Sequence, residues 1–429
     1  MADNLTDAHT FTMDWQGNIY TIATITQHMS HTTKLIVATL NRKVFCLELS
    51  MSHCARPCGC VVVPQTQELQ FTYIPSGAEI ISIDAFNKSR VGDDFVIGVT
   101  IIKSAESGSP GQYLNIYSDW DSVADIDSRE FELENLAQSC FSLPLDYIPY
   151  QLNHCEVDEL TLWLLGGSDK KVHIYSEDKA KHMYQEIEAG NLLPEFATSF
   201  PSVPLWIDIC VHGGYRVTAT GCECGLLVVT SFKLDSPNSL QRWYKEYDGP
   251  LTCTKLFSVT PPPIASPPYL TIPNTPSLDP VPPLHLCVTH SLGHTEVFHD
   301  LLARGLGTAS PLPQSTTADI VTTVCVADLT LTGSYRLVLG TYGQELLVYK
   351  MGDSEEWELE WSKSLPAPVL GVRWVDMTGD GLRELVVITT KGVQVLQNQL
   401  DMVKEVTLER LKKLVQRKKT NSHIMNTLT

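Results

Sequence analysis

The chain has 429 residues, 43% of them hydrophobic and 19% charged, with eight tryptophans and no apolar run near the ~18 residues that a membrane span needs. A disordered protein and an integral membrane protein are thereby excluded. With 31 basic against 49 acidic residues the formal charge is −18, a surface that repels nucleic acid and anionic lipid.

The N-terminus, MADNLTDAHTFTMD, has neither the basic start nor the apolar core of a secretory signal, so a cytoplasmic location with reduced cysteines is expected. Beyond it one pattern recurs: a short apolar strand, a turn that usually contains Gly, and a second apolar strand. It begins near residues 34, 94, 160, 215, 284, 335 and 383, at separations of 48 to 69 residues. That spacing suits a four-stranded sheet with variable loops.

No such unit buries its apolar face alone. Seven sheets packed around an axis do, which predicts an all-β fold, a seven-bladed β-propeller over residues 8–398. Further strands at 19–25, 79–86, 204–211, 321–329 and 369–377 are expected nearest the axis. Polar-aromatic runs such as ELQFTYIP (68–75), LQRWYKEYDGP and WELEWSKSLP are expected as outer, fourth strands. The seventh unit lacks one, so Phe11 to Trp15 is expected to supply it and close the ring.

Two segments interrupt the pattern. Residues 121–139 form an acidic insertion, expected to be a solvated loop with one helical turn. Residues 260–283 hold ten of the 25 prolines and cannot supply ladder donors, which predicts an extended insertion.

From 399 to 419 the spacing turns helical, with Leu400, Val403, Thr407, Leu411, Leu414 and Val415 on one face. The rest of this helix is basic: Lys404, Arg410, Lys412, Lys413 and Arg417 are candidate partner-binding residues, although cations in the last turns also suit the helix dipole. Residues 420–429 are expected to be a disordered tail.

Asp376, Thr378, Asp380 and Glu384, in DMTGDGLRE between two strands, carry the ingredients of a calcium loop: oxygen ligands at alternate positions, Gly for the turn and a closing carboxylate. Thr378 is a poor third ligand, and a metal-free Asx turn explains the same residues. The equivalent loop one unit earlier keeps Asp328 and has Arg336 at the closing position. Cys54, Cys58 and Cys60 lack the spacing of a zinc knuckle. No nucleophile elbow, phosphate-binding Gly loop or dinucleotide fingerprint is present, so no enzymatic activity and no cofactor beyond possible calcium are expected.

The blocks ELQFTYIPSGAEIISIDAFNKS, YLNIYSDW, LAQSCFSL, FHDLLARGL, TYGQELLVYK and VDMTGDGLRELVVITTKGVQVLQ closely resemble the kaptin family. The Asp376 and Asp328 loops also look like the FG-GAP repeats of integrin-type propellers. The Pro-rich insertion and the cysteine loop depart from the family pattern. The resemblance implies a non-enzymatic scaffold subunit of the KICSTOR complex, beside an integrin-α FG-GAP-repeat protein, a large scaffold subunit and a smaller fourth component. It further implies recruitment of the GATOR complex to lysosomes, restraint of TOR complex signalling when amino acids or glucose are scarce, and association with actin filaments of lamellipodia and stereocilia. The alternatives are a protein that is primarily an actin-binding cytoskeletal component and a calcium-binding interaction module.

Overall fold

In the computed structural model, the described residues are 5–409, 411, 412 and 415, apart from 14, 15, 29, 54–59, 90, 91, 105–110, 119–132, 182, 191, 237, 238 and 260–280. Among them, strands form seven four-stranded antiparallel sheets, the blades of a β-propeller. Blade 1 comprises β2 (Ile22–Thr26), β3 (Thr33–Ala38), β4 (Val44–His53) and β5 (Cys60–Leu69). Blade 2 comprises β6 (Ala78–Asn87), β7 (Phe95–Lys103), β8 (Gly111–Ser118) and β9 (Cys140–Leu145). Blade 3 runs through β10 (Pro149–Val157), β11 (Leu160–Gly167), β12 (Val172–Asp178) and β13 (Met183–Ile187).

Blade 4 follows with β14 (Pro204–His212), β15 (Tyr215–Cys222), β16 (Leu226–Lys233) and β17 (Gln241–Glu246). Blade 5 has β18 (Leu251–Phe257), β19 (His285–His290) and the short β20 (Glu296–Phe298) and β21 (Ala309–Pro311). Blade 6 is β22 (Val321–Ala327), β23 (Arg336–Thr341), β24 (Glu345–Met351) and β25 (Trp357–Ser364). Blade 7 takes β26 (Val369–Val375), β27 (Glu384–Thr389) and β28 (Gly392–Asn398) from the end of the chain and its outer strand, β1 (Leu5–Thr12), from the beginning.

The first-to-last pairing closes the ring. β1 lies antiparallel to β28, from Leu5 opposite Asn398 to Thr12 opposite Gly392. The strand starts earlier than expected, and of the run Phe11 to Trp15 it contains Phe11 and Thr12. The reason is packing: Phe11 is the buried anchor of β1, at 2% exposure, among Leu35, Val386 and Val393. The other correction concerns ELQFTYIP. The outer strand of blade 1 ends at Leu69, because Phe71 and Ile74 leave the ladder to pack against the core shared with blade 2. Pro64 sits within β5, tolerated there because an outer strand leaves one edge unpaired.

The apolar residues fall into seven clusters, each straddling two neighbouring blades. Radial sheets have no other place to bury both faces. Trp163, at 0% exposure, fills the interface of blades 2 and 3 against Phe86. The helical turn expected in the acidic insertion is Leu133–Leu136; Leu133 and Leu136 are buried in the cluster of blades 1 and 2, and Ala137 is buried beside them in sequence. That end of the insertion is therefore part of the ring, whereas residues 121–132 lie outside the described residues.

Antiparallel order fixes which connections share a face. The connections β4–β5, β8–β9 and β18–β19, which include residues 54–59, 119–132 and 260–280, all leave from one face, and so does the C-terminal helix that follows β28. The opposite face carries mostly short turns and six exposed large apolar side chains: Leu40, Tyr73, Ile148, Leu292, Ile320 and Tyr342.

Candidate functional site

The Asp376 loop joins β26 to β27. Asp376 accepts hydrogen bonds from the Gly379 amide (2.6 Å) and the Gly381 amide (2.8 Å) on separate oxygens. Gly379 and Gly381 both have left-handed φ, 73° and 82°, and a Cβ on Gly379 would lie 2.6 Å from the Thr32 methyl of blade 1. Glu384 begins β27 at 2% exposure, accepting from the Met377 amide (2.8 Å), the Thr378 hydroxyl (3.0 Å) and the Gln397 side chain (3.3 Å). Asp380 is exposed and accepts from the Leu382 amide.

Ligand oxygens of Asp376, Asp380 and Glu384 lie within 4.8 Å of one another. Burial pushes the Glu384 pKa up to about 7, and it also raises that of Asp376. The Asp328 loop is built alike: Thr332 and Gly333 amides donate to its two oxygens, while Arg336 turns away to Glu360 at 2.9 Å. Two loops with different closing residues thus share one amide clasp. The clasp serves the turn, whatever else the carboxylates do.

A second cluster lies on the axis, and its residues were not singled out from sequence. In six blades a β-bulge interrupts the ladder near the start of the innermost strand. Two residues beyond the bulge, these six inner strands carry Asp84, His154, Asp208, Lys255, Cys325 and Arg373 at the same register. His154 of blade 3 meets Asp84 at 2.7 Å, and Lys255 meets Asp208 at 3.4 Å.

Burial lowers the His154 pKa, but the Asp84 carboxylate outweighs it and leaves the imidazole above its ordinary value. The charge of Asp208 holds Lys255 protonated. The signal available in the sequence was an ionisable residue in the middle of an apolar inner strand, as in ISIDAF, WIDIC, CTKLF and GVRWV.

One end of this chamber is stoppered. Tyr20, in the connection leading into blade 1, reaches across the axis to donate to the Leu205 carbonyl of blade 4 at 2.8 Å and packs on Trp206. On the face of the long connections, a cavity of about 340 Å³ opens between blades 1, 2 and 3 among Thr26, Phe86, Asn87, His154, Glu156 and Thr161.

The C-terminal helix covers 400–409 and continues at 411, 412 and 415. Lys404 and Lys412 are exposed, whereas Arg410, Lys413 and Arg417 lie outside the described residues. Of its apolar stripe, Leu400, Leu411 and Val415 are 82%, 44% and 52% exposed, Val403 is half-buried and Leu414 lies outside the described residues. Cys54 and Cys58 also lie outside the described residues, as does the tail 420–429. No described helix is long and apolar enough to cross a membrane.

A family model described as KICSTOR complex protein kaptin matches residues 5–408. The chain belongs to the kaptin family. A mouse relative, the KICSTOR complex protein kaptin, is 39% identical over 367 residues, which cover 83% of this chain and 81% of the relative. The chain is also similar to chains of two crystal structures of BBS1N in complex with ARL6DN, soaked with lead and with mercury. The TM-scores are 0.54 and 0.53 at 10% and 11% identity, over 92% of this chain and 98% and 97% of those chains. At such identity the likeness shows the propeller alone, while the kaptin match reaches from the closing strand β1 to the C-terminal helix.

Proposed function

We propose that this kaptin-family chain is a non-enzymatic scaffold subunit of a KICSTOR complex, which recruits the GATOR complex to lysosomes and restrains TOR complex signalling when amino acids or glucose are scarce. The observation that carries this reading is the family match over residues 5–408. The architecture supports it: a rigid ring offers two broad faces and seven outer edges, and stable protein interfaces need on the order of 1,200–2,000 Å². Within the complex its neighbours are an integrin-α FG-GAP-repeat protein and the large scaffold subunit, and it reaches the lysosomal surface through them.

Cross-linking mass spectrometry on the purified assembly tests the proposal. Cross-links from several blades to both neighbours are expected. A chain that copurifies with neither subunit overturns the reading.

A second reading, direct binding to actin filaments, is favoured by the C-terminal helix, whose Lys404 and Lys412 stand exposed on an otherwise acidic protein. Such a helix offers the positive charge that an acidic filament would attract.

A further inference from the structure

We propose that the axial chamber is a binding site for a small oxyanion, a phosphate or a carboxylate, held between Arg373 and Lys255. Asp84 pairs with His154 and Asp208 with Lys255, and although the Asp84 charge also acts on Arg373, no carboxylate bonds the guanidinium among the described residues. In a chain with 49 carboxylates, a half-buried guanidinium without a bonded one needs a reason.

The guanidinium donates to two carbonyls, its neighbour Val372 at 3.0 Å and Ile22 of blade 1 at a long 3.5 Å. Five N–H donors in a planar fork leave the remainder for a ligand, and that fork matches carboxylate and phosphate oxygens. Lys255 supplies the second charge. It donates one hydrogen bond, to Asp208, and keeps 39% of its side-chain surface accessible. The two cations stand at the same register on the inner strands of blades 5 and 7, with Cys325 of blade 6 between them.

Tyr20 across Trp206 covers the axis on the short-turn face, while the 340 Å³ cavity on the other face lies among blades 1 to 3, beside His154. Two cations at one level of the inner strands offer a small anion a local attraction that the −18 surface does not.

The full chain is melted in increasing inorganic phosphate and, separately, succinate, each against sodium chloride of matched ionic strength. A saturable rise in the transition beyond the chloride control is expected, and it should be lost in Arg373→Gln. Phosphate alone acting identifies a tetrahedral oxyanion, while succinate acting equally identifies a carboxylate, such as an acidic side chain of a partner would bring. An unchanged response in Arg373→Gln overturns the site, as does a wild-type transition that neither anion moves. Should Arg373→Gln fail to fold, the phosphorus line width of phosphate is compared between wild type and Lys255→Met. Broadening that Lys255→Met leaves intact, or its absence in wild type, counts against the proposal.

Discussion

Glu384 is buried beside two other carboxylates, and its ionisation therefore works against the fold. Its pKa of about 7 in the native ring lies above the usual carboxyl value of 4.5, so the native state holds more protons than the unfolded chain between those pH values. Stability is expected to fall as pH rises from about 4.5 through about 7, by roughly 1.4 kcal/mol for each unit of pKa difference. Thermal melts at pH 5 and pH 8 should show the slope, and Glu384→Gln should flatten it. Because backbone amides already clasp Asp376, added calcium is expected to leave the transition in place.

Glu195 illustrates the opposite case. It is bonded to Arg216 through both oxygens, at 2.7 and 3.1 Å, with side-chain exposures of 1% and 3%. The pair pins the connection between blades 3 and 4, where Arg216 also donates to the Leu192 carbonyl. Glu195→Ala strands a buried guanidinium, and denaturant unfolding should register a loss of about 3–5 kcal/mol.

At the scale of elements, β1 is the closure. Deleting residues 1–12 bares the unpaired edge of β28 and empties the Phe11 site, so a lower melting temperature and larger species in light scattering are expected. The described helix residues 400–409, 411, 412 and 415 are all exposed or half-buried, so deleting residues 400–429 is expected to leave the melting temperature where it is.

The seven hairpins were legible because a Gly-containing turn between two apolar runs is a local signal. The closing strand was legible mainly by elimination. LTDAHTFT is polar along most of its length, and its fit depends on a β28 that lies nearly 390 positions away in the chain. The end of β5 was obscured for a related reason: Phe71 looks like a strand residue, and the direction it faces is decided by blade 2.

For the molecule as a whole, the two faces differ. The long connections and the basic helix leave from one, and the other carries mostly short turns with six exposed apolar side chains. If the helix carries filament binding, the full chain should pellet with filaments and a 1–399 truncation should not; equal pelleting removes the helix from the account. The ring was readable from repeat spacing, but the charged chamber was not. Asp84, Lys255 and Arg373 are scattered over nearly 290 positions, and the bulges that bring them to one level leave no mark in composition.

Pairing β1 with β28 also sets an order of events during synthesis. β1 leaves the ribosome before β28 and waits for it about 20–80 s at ordinary elongation rates of roughly 5–20 residues per second. Throughout that interval a nascent chain holds six blades without a clasp and an orphaned segment free to pair with a neighbour on the same message. Cells that make this protein in quantity should therefore show it leaning on holding chaperones until termination, and a copy with β1 transplanted after β28 should be released from that dependence.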